Sequence, residues 1–350
     1  MQSHTIPYWC NGSVVNEETM TEILYNSVLD KFETEEAIKA VKDIFQEGLA
    51  RALHLYRMTA PLFVKAGLGV NDDLNGERPV SFRIKDMDGQ EAEIVHSLAK
   101  WKRMMLGQYD VPVGEGIYTD MSAIRTEEHL DALHSLYVDQ WDWEATIAQS
   151  DRTIEHLQQV VRKIYRAIRA TEARLCERYP SLHPFLPEEI VFINSEELRQ
   201  RYPELDAKAR EREICRQYGA VFIDGIGGVL GDGTIHDGRA ADYDDWRMNG
   251  DILIWYPILG QQVELSSMGI RVDEISLVEQ LRERGQEERK NLFFHQLILT
   301  HKIPYSIGGG IGQSRLCMVL LHKAHVGEVQ ASIWPEGMRI ECLKKGIELI

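Results

Sequence analysis

Ser135-Leu136-Tyr137-Val138-Asp139-Gln140-Trp141 has the aromatic and β-branched content of a strand. Residues two apart on a strand share a face, so Gln140 falls in with Asp142, opposite the face of Tyr137, Asp139, Trp141 and Trp143. Upstream, Gly116-Ile117-Tyr118-Thr119-Asp120 reads as a second strand, separated from the first by a polar stretch holding Arg125, Glu127, Glu128 and Asp131. Arg125, at the end of that strand, adds an arginine to the amide and carboxylate, and the three make the polar floor of a site or else a solvated sheet face.

Around this pair the chain alternates helices with short strands. Ile38, Val41, Phe45, Leu49, Ala52 and Tyr56 recur at spacings of three and four, which predicts a helix over Thr34 to Tyr56. A second amphipathic helix is expected over Thr153 to Cys176, with shorter ones at Ser195 to Arg201, Asp206 to Tyr218, Ile275 to Arg284 and Glu287 to His301. Strand patterns appear between Leu68 and Asp120, broken by Asn75-Gly76 and Asp88-Gly89, then at Ala220 to Ile223, Asp251 to Tyr256 and Gln262 to Ser266. Strands clustered with helices, without strict βαβα alternation, indicate an α+β fold with a mostly antiparallel sheet flanked by helices. Residues 1–33 carry no clear pattern and are expected to be an extension; 34–350 are expected to be one domain.

Composition removes other classes. Hydrophobic residues make up 44% and charged ones 27%, values of a folded globular chain. The formal net charge of −16 repels a polyphosphate backbone, so no nucleic-acid partner is expected. No apolar run suits a membrane span and no signal-peptide pattern opens the chain, so a cytoplasmic location is expected. The five cysteines show no CxxC spacing and read as reduced thiols.

A P-loop is absent, and Gly225-Ile226-Gly227-Gly228-Val229-Leu230 has Leu230 where a dinucleotide fingerprint needs glycine; it reads as a tight turn after a strand. His322-Lys323-Ala324-His325 reads as an exposed pair in a helical tail. Gly308-Gly309-Gly310-Ile311-Gly312-Gln313-Ser314-Arg315 is more informative. Its glycines let the backbone approach a flat or phosphorylated ligand, and Arg315 falls in the first turn of a helix over Ser314 to His322. Close packing of a helix start on a sheet is the alternative. Asp251 at a strand start, and Glu264 with Ser266 on one strand face, are acids of the kind that hold Mg²⁺ bound to phosphates.

Taken together, Val95 to Arg103, Gly114 to Thr119, His134 to Glu144, Asp242 to Trp246, Glu264 to Asp273 and Ile307 to Leu316 resemble the ammonia-dependent asparagine synthetase (aspartate-ammonia ligase) family, whose catalytic fold is that of class II aminoacyl-tRNA synthetases. The resemblance spans roughly residues 45–336. It implies ligation of ammonia to the β-carboxylate of L-aspartate at the expense of ATP, through β-aspartyl-AMP, with Mg²⁺ as cofactor. Arg125 then matches the motif 2 arginine on the α-phosphate and Arg315 the motif 3 arginine that braces ATP, beside Gly310, Gly312, Asp244 and Glu264. Glu264 with Asp251 matches the metal-binding acids, and Asp72 and Gln140 the polar residues near the reacting carboxyl. Ser97, Lys102, Asp142, Asp244, Ser267 and Arg271 match the amino-acid pocket.

Two departures stand out: the N-terminal extension, and the link of Trp246 to Asn249-Gly250-Asp251 through only Arg247-Met248, which puts an ATP-site flap in doubt. No N-terminal cysteine follows Met1, so free ammonia rather than glutamine is the expected donor. Transfer of the adenylate to RNA is the rival activity, opposed by the charge. A homodimer through part of the Thr34 to Tyr56 helix is expected by the same resemblance.

Overall fold

The computed structural model describes residues 25–72 and 76–350, with the backbone of two short strands, β1 (Trp9–Cys10) and β2 (Ser13–Val14). Most of the expected extension, Cys10 as a thiol and Asn75 lie outside the described residues. Helix α1 (Lys31–Leu53) starts three residues before Thr34 because Asp30 caps it: Asp30 accepts from the Glu33 amide at 2.8 Å while Glu33 accepts from the Asp30 amide at 3.0 Å. It ends at Leu53, with His54 in the left-handed region (φ 54°), so Tyr56 is not on its apolar face but in β3 (Leu55–Arg57), 62% exposed.

A small sheet, β4 (Phe63–Lys65), β5 (Ser81–Ile84) and β6 (Gln90–Ile94), leads into α2 (Ala99–Gln108). Then come β7 (Gly116–Ile124), β8 (Tyr137–Thr146), α3 (Ile154–Arg178), β9 (Val191–Asn194), α4 (Ser195–Arg201), α5 (Ala207–Tyr218) and β10 (Ala220–Asp224). The chain continues through β11 (Asp244–Tyr256), β12 (Gln261–Arg271), α6 (Glu274–Glu283), α7 (Phe293–Leu299), β13 (Ser306–Gly312), α8 (Gln313–Leu320) and α9 (Glu336–Lys344).

Eight strands form the main sheet in the order β3-β7-β8-β13-β12-β11-β10-β9, antiparallel except for its two edge pairs, β3 with β7 and β10 with β9. The expected α+β class with a mostly antiparallel sheet is what forms. One face carries Trp141, Trp143, Met268, Ile270, Ile307 and Ile311, packed with Val41, Phe45 and Leu49 of α1 and Val161, Ile164 and Ile168 of α3. The Phe45 and Trp141 ring centroids lie 4.8 Å apart. At roughly 25 cal/mol per Å² of apolar surface, these buried side chains dominate the stabilisation of the sheet. On the opposite face Val221, Ile223 and Leu253 pack with Leu198 and Ile214 at one end, and Met121 and Ala123 with Val95 and Leu98 at the other, while the strands between carry polar residues.

Three expectations change. Gly308–Gly312 does more than lead into the helix that follows: it belongs to the central strand β13, its peptides paired to β8 and β12. The expected helix over Glu287 to His301 is broken: a 3-10 turn over Glu287–Asn291 is followed by extended Leu292 and then α7. Six residues of continuous helix would rotate His295 by about 240° from Arg289, whereas the break lets both meet Asp242 at 2.9 Å. The histidines of the HxxH run are not an exposed pair: His325 is buried and accepts from the Gly327 amide at 3.0 Å, and His322 packs edge-on to Phe185 at 5.7 Å. Gly225 (φ 75°) and Gly227 (φ 111°) form the tight turn expected after β10.

Candidate active site

The strand registers assemble the polar face. Gln140, Asp142 and Glu144 on β8 stand opposite Gly312, Gly310 and Gly308 on β13. On the far side of β13, Gly310 and Gly308 stand opposite Ser267 and Gly269 of β12, which pair with Asp251 and Asn249 of β11. Glycine on the middle strand is a matter of space. A Cβ at Gly310 would come 2.5 Å from Gln140 Oε1, and one at Gly308 would sit 2.5 Å from Arg271 Nη2. The long side chains of β8 and β12 thus meet over a bare strand.

Above this floor lies a cavity of about 430 Å³, within the usual range for a small-molecule site. Every site residue expected from sequence lines it except Asp251. Asp72 comes from the loop before β5, Ser97 and Lys102 from the start of α2, Arg125 from the end of β7, and Gln140 and Asp142 from β8. Asp244 comes from β11, Glu264, Ser267 and Arg271 from β12, Gly310 and Gly312 from β13, and Arg315 from α8.

Two buried ion-pair systems form the inner end. Lys102 Nζ donates to Asp142 Oδ1 at 2.8 Å and to the Gly309 carbonyl at 3.0 Å, while Asp142 Oδ2 is buried without a hydrogen-bond partner. Burial pushes the Lys102 ammonium down, with Asp142 opposing it. Arg271 spans Glu144, with Nη2 to Oε2 at 2.7 Å and Nε to Oε1 at 3.0 Å, and also pairs with Asp244. Burial raises both acids; at Glu144 the guanidinium outweighs it, aided by Ser306 at 2.7 Å, and holds the carboxyl below its usual range, whereas Asp244 stays raised. A carboxylate that accepts more charged donors is the stronger acid.

Arginines border the open end. Arg125 donates to the His96 carbonyl at 3.3 Å and lies 4.0 Å from Glu128; its Nε has no partner, leaving donor capacity for an anion. Arg315 donates to the Glu264 carbonyl at 2.9 Å. Beneath Asp72, Lys100 Nζ donates to Asp242 at 2.8 Å and to the Asn71 carbonyl at 3.4 Å, and His96 Nδ1 lies 3.1 Å from the Asp72 carbonyl. This buried cluster fixes the loop that presents Asp72.

Two expectations about the acids need correction. Glu264 and Ser266 are not on one face: the register shift between Ile252 and Leu253 pairs Ser266 with Ile252 but Glu264 with Leu253, so the alternation breaks between them. Asp251 stands one layer behind the cavity, paired with Arg239, which does line it. The link of Trp246 to Asp251 is likewise no loop but part of β11, and the cavity is lined from this region by Asp237, Gly238, Arg239 and Tyr243 ahead of that strand.

Among the described residues no group of three or more His, Cys, Asp or Glu side chains forms a metal site. Burial and the nearby Glu264 nonetheless raise Asp251 to about 7 against the pull of Arg239. Two carboxylates that repel each other beside a ligand cavity fit a hard cation whose other ligands are phosphate oxygens.

Sequence reasoning missed Arg239, Glu144, Tyr243 and the Asp242–Lys100–His295 cluster. Glu144 carried a signal, since it continues the Gln140, Asp142 alternation. Arg239 carried none, because it lies in an irregular segment.

Residues 32–346 match the family described as aspartate-ammonia ligase. An aspartate-ammonia ligase of Bacteroides thetaiotaomicron is 56% identical over 336 residues, covering 93% of this chain and 97% of the relative. One from Clostridium perfringens is 56% identical over 327 residues with the same coverage of each chain. Among solved structures, asparaginyl-tRNA synthetase from Pyrococcus horikoshii complexed with asparaginyl-adenylate superposes with a TM-score of 0.62 at 14% identity, covering 86% of this chain and 70% of that one. Aspartyl-tRNA synthetase from Entamoeba histolytica gives 0.59 at 13%, covering 85% and 57%. Those distant likenesses establish the class II synthetase fold, and the close relatives establish the rest: the chain belongs to the aspartate-ammonia ligase family.

Proposed function

We propose that the protein makes L-asparagine in two steps at this cavity. In the first, a β-carboxylate oxygen of L-aspartate attacks the α-phosphorus of ATP and the bond to pyrophosphate breaks, giving β-aspartyl-AMP. In the second, ammonia attacks the acyl carbon, the bond to AMP breaks, and loss of one proton leaves asparagine. Activation is needed because a free carboxylate would have to expel oxide, whereas the mixed anhydride expels AMP.

The observation that carries this reading is the division of the cavity into a buried zwitterion floor and an arginine-bordered mouth. At the floor the unpartnered Asp142 Oδ2 accepts the α-ammonium, and Lys102 and Arg271 supply positive charge for the α-carboxylate, with Ser97, Ser267 and Asp244 completing the pocket. Gln140 lies beside the β-carboxyl and Asp72 orients or deprotonates the incoming ammonium. Arg125 clamps the β-carboxylate against the α-phosphate, and Arg315 braces ATP over Gly310 and Gly312. Asp251 and Glu264 are the residues that would hold Mg²⁺, which supplies positive charge to the phosphates when bound.

The test is release of AMP and pyrophosphate from ATP, L-aspartate and Mg²⁺, with ammonium, glutamine or neither. Equal amounts of AMP and asparagine formed only with ammonium support the proposal. ADP and phosphate as products, or ATP–pyrophosphate exchange that no ammonium converts into asparagine, would overturn it, the latter in favour of an acceptor such as RNA. We further place the catalytic domain at 34–350, acting in the cytoplasm as a homodimer, which light scattering on the eluted protein checks. No helix among the described residues is long and apolar enough to cross a membrane.

A further inference from the structure

We infer that Arg239 is a placeholder cation, which neutralises Asp251 until a nucleotide-bound divalent ion takes that carboxylate and then turns to the phosphate end of the nucleotide. The inference rests on the reading of Asp251 and Glu264 as metal-holding acids. Arg239 Nη2 donates to Asp251 Oδ1, Nη1 donates to the Gly238 carbonyl at 3.1 Å, and Nε is buried without a hydrogen-bond partner. The side chain is 11% exposed, and it lines the cavity that Asp251 does not reach. Its guanidinium therefore stands between the acid and the ligand space.

The mounting of Arg239 fits a part that moves. Its root is tied to α5: His236 Nε2 lies 3.1 Å from Glu211 and Asp237 lies 3.2 Å from Lys208 Nζ. Arg239 itself is held by one carboxylate and one neighbouring carbonyl. A divalent ion on Asp251 sets two positive charges against the guanidinium a few ångströms away and takes over neutralisation of the acid, so arrival of the ion weakens the pair. The released guanidinium, still carrying a full charge and facing the cavity, meets the polyphosphate whose terminal part leaves as pyrophosphate. A fixed structural pair makes a different prediction, because an Arg239 that never leaves Asp251 would not touch the polyphosphate and its removal would leave pyrophosphate inhibition unchanged.

The experiment measures Mn²⁺ binding to the full-length protein by the loss of free Mn²⁺ signal in electron paramagnetic resonance, with and without a non-hydrolysable ATP analogue. Arg239→Gln is expected to raise nucleotide-free Mn²⁺ affinity tenfold or more, and Asp251→Asn in the same chain to abolish the gain. Arg239→Lys, which keeps the charge, is expected to bind nucleotide-free Mn²⁺ as the unsubstituted protein does, and circular dichroism confirms that each variant is folded. Pyrophosphate should inhibit Arg239→Gln at least tenfold more weakly, with KM for aspartate unchanged. Unchanged nucleotide-free affinity in Arg239→Gln, while Asp251→Asn weakens Mn²⁺ binding with the analogue, overturns the placeholder alone. Analogue-dependent Mn²⁺ binding that neither Asp251→Asn nor Glu264→Gln alters overturns the metal assignment and the placeholder together.

Discussion

Three consecutive glycines on β13 should respond differently to the same added methyl group. At Gly308 a Cβ overlaps Glu144 Oε2 and comes 2.5 Å from Arg271 Nη2, so Gly308→Ala must separate the buried Arg271–Glu144 pair. Breaking such a pair costs about 3–5 kcal/mol, offset by ~0.4–1 kcal/mol from stiffening the unfolded chain, which leaves roughly 3 kcal/mol. Unfolding entropy of about 2.1 cal/mol/K per residue over 350 residues turns that into a midpoint lowered by about 4 °C. At Gly309 the obstacles are Met268 Cβ at 2.5 Å and the Ser267 carbonyl at 2.7 Å, rigid strand atoms, so Gly309→Ala should be destabilised by ~1–3 kcal/mol through overpacking. At Gly310 the contact is the far end of Gln140, with Asp142 Oδ1 at 3.0 Å; the amide can turn aside, so the midpoint should stay within about 1 °C. The displaced amide and the raised floor should then lower asparagine formation about 10²-fold. Thermal unfolding and asparagine production on the three variants decide the matter. A Gly310→Ala enzyme within twofold of normal activity, or a Gly308→Ala protein with an unchanged midpoint, would refute the idea that these glycines make room for site side chains.

Arg125→Ala should lower aspartate-dependent ATP–pyrophosphate exchange by about 10²–10³-fold with little change in melting, and near-normal exchange would remove Arg125 from the site. Lys100→Met leaves Asp242 short of one of its buried cations, which should cost ~3 kcal/mol in urea unfolding and loosen the Asp72 loop; an unchanged unfolding midpoint would count against the cluster as its anchor. Burial lowers the His322 imidazole from 6.5 to about 4, so between those values the unfolded chain binds the extra proton. Its contribution is therefore complete above pH 6.5 and is lost as pH falls toward 4, by up to about 3 kcal/mol; His322→Gln should flatten that part of the stability–pH curve, and an identical curve would contradict the assignment.

Strand faces were legible where alternation is unbroken. Trp141 and Trp143 against Gln140 and Asp142 needed only the two-residue period, and the registers of β8 and β13 preserve it. Helix starts depended on caps: Asp30 with Glu33 placed the start of α1 ahead of the apolar stripe, and Tyr56 was assigned to that stripe although His54 had already reversed the chain. The glycine run was read as the approach to a helix and not as a strand, because its partners are remote in sequence. Glycine is a poor strand residue by itself, and only the bulky polar side chains of β8 and β12, which flank it in the sheet but lie far upstream in the chain, make a bare strand the arrangement that fits.

The same distinction separates the site residues that were found from those that were missed. Period and resemblance placed thirteen residues around one cavity, because each lies on or beside a regular element whose face is fixed by its apolar side. Whether a charged residue is available to a ligand depends on what neutralises it, and that partner comes from elsewhere in the chain. Glu264 and Asp251 are near enough for their charges to interact, yet one borders the cavity and the other stands behind an arginine supplied by the irregular segment 225–243. The bulge beside Leu265 sharpens the point. A single extra residue in β12 turns Glu264 onto the face of Leu253 while Ser266 stays with Ile252, and no pattern within the strand marks it, since it exists only relative to β11. Chemistry at this site therefore follows from pairings between strands and loops, and substitutions at Arg239 or Gly310, which alter those pairings without removing any acid of the site, test it more sharply than removal of the acids themselves.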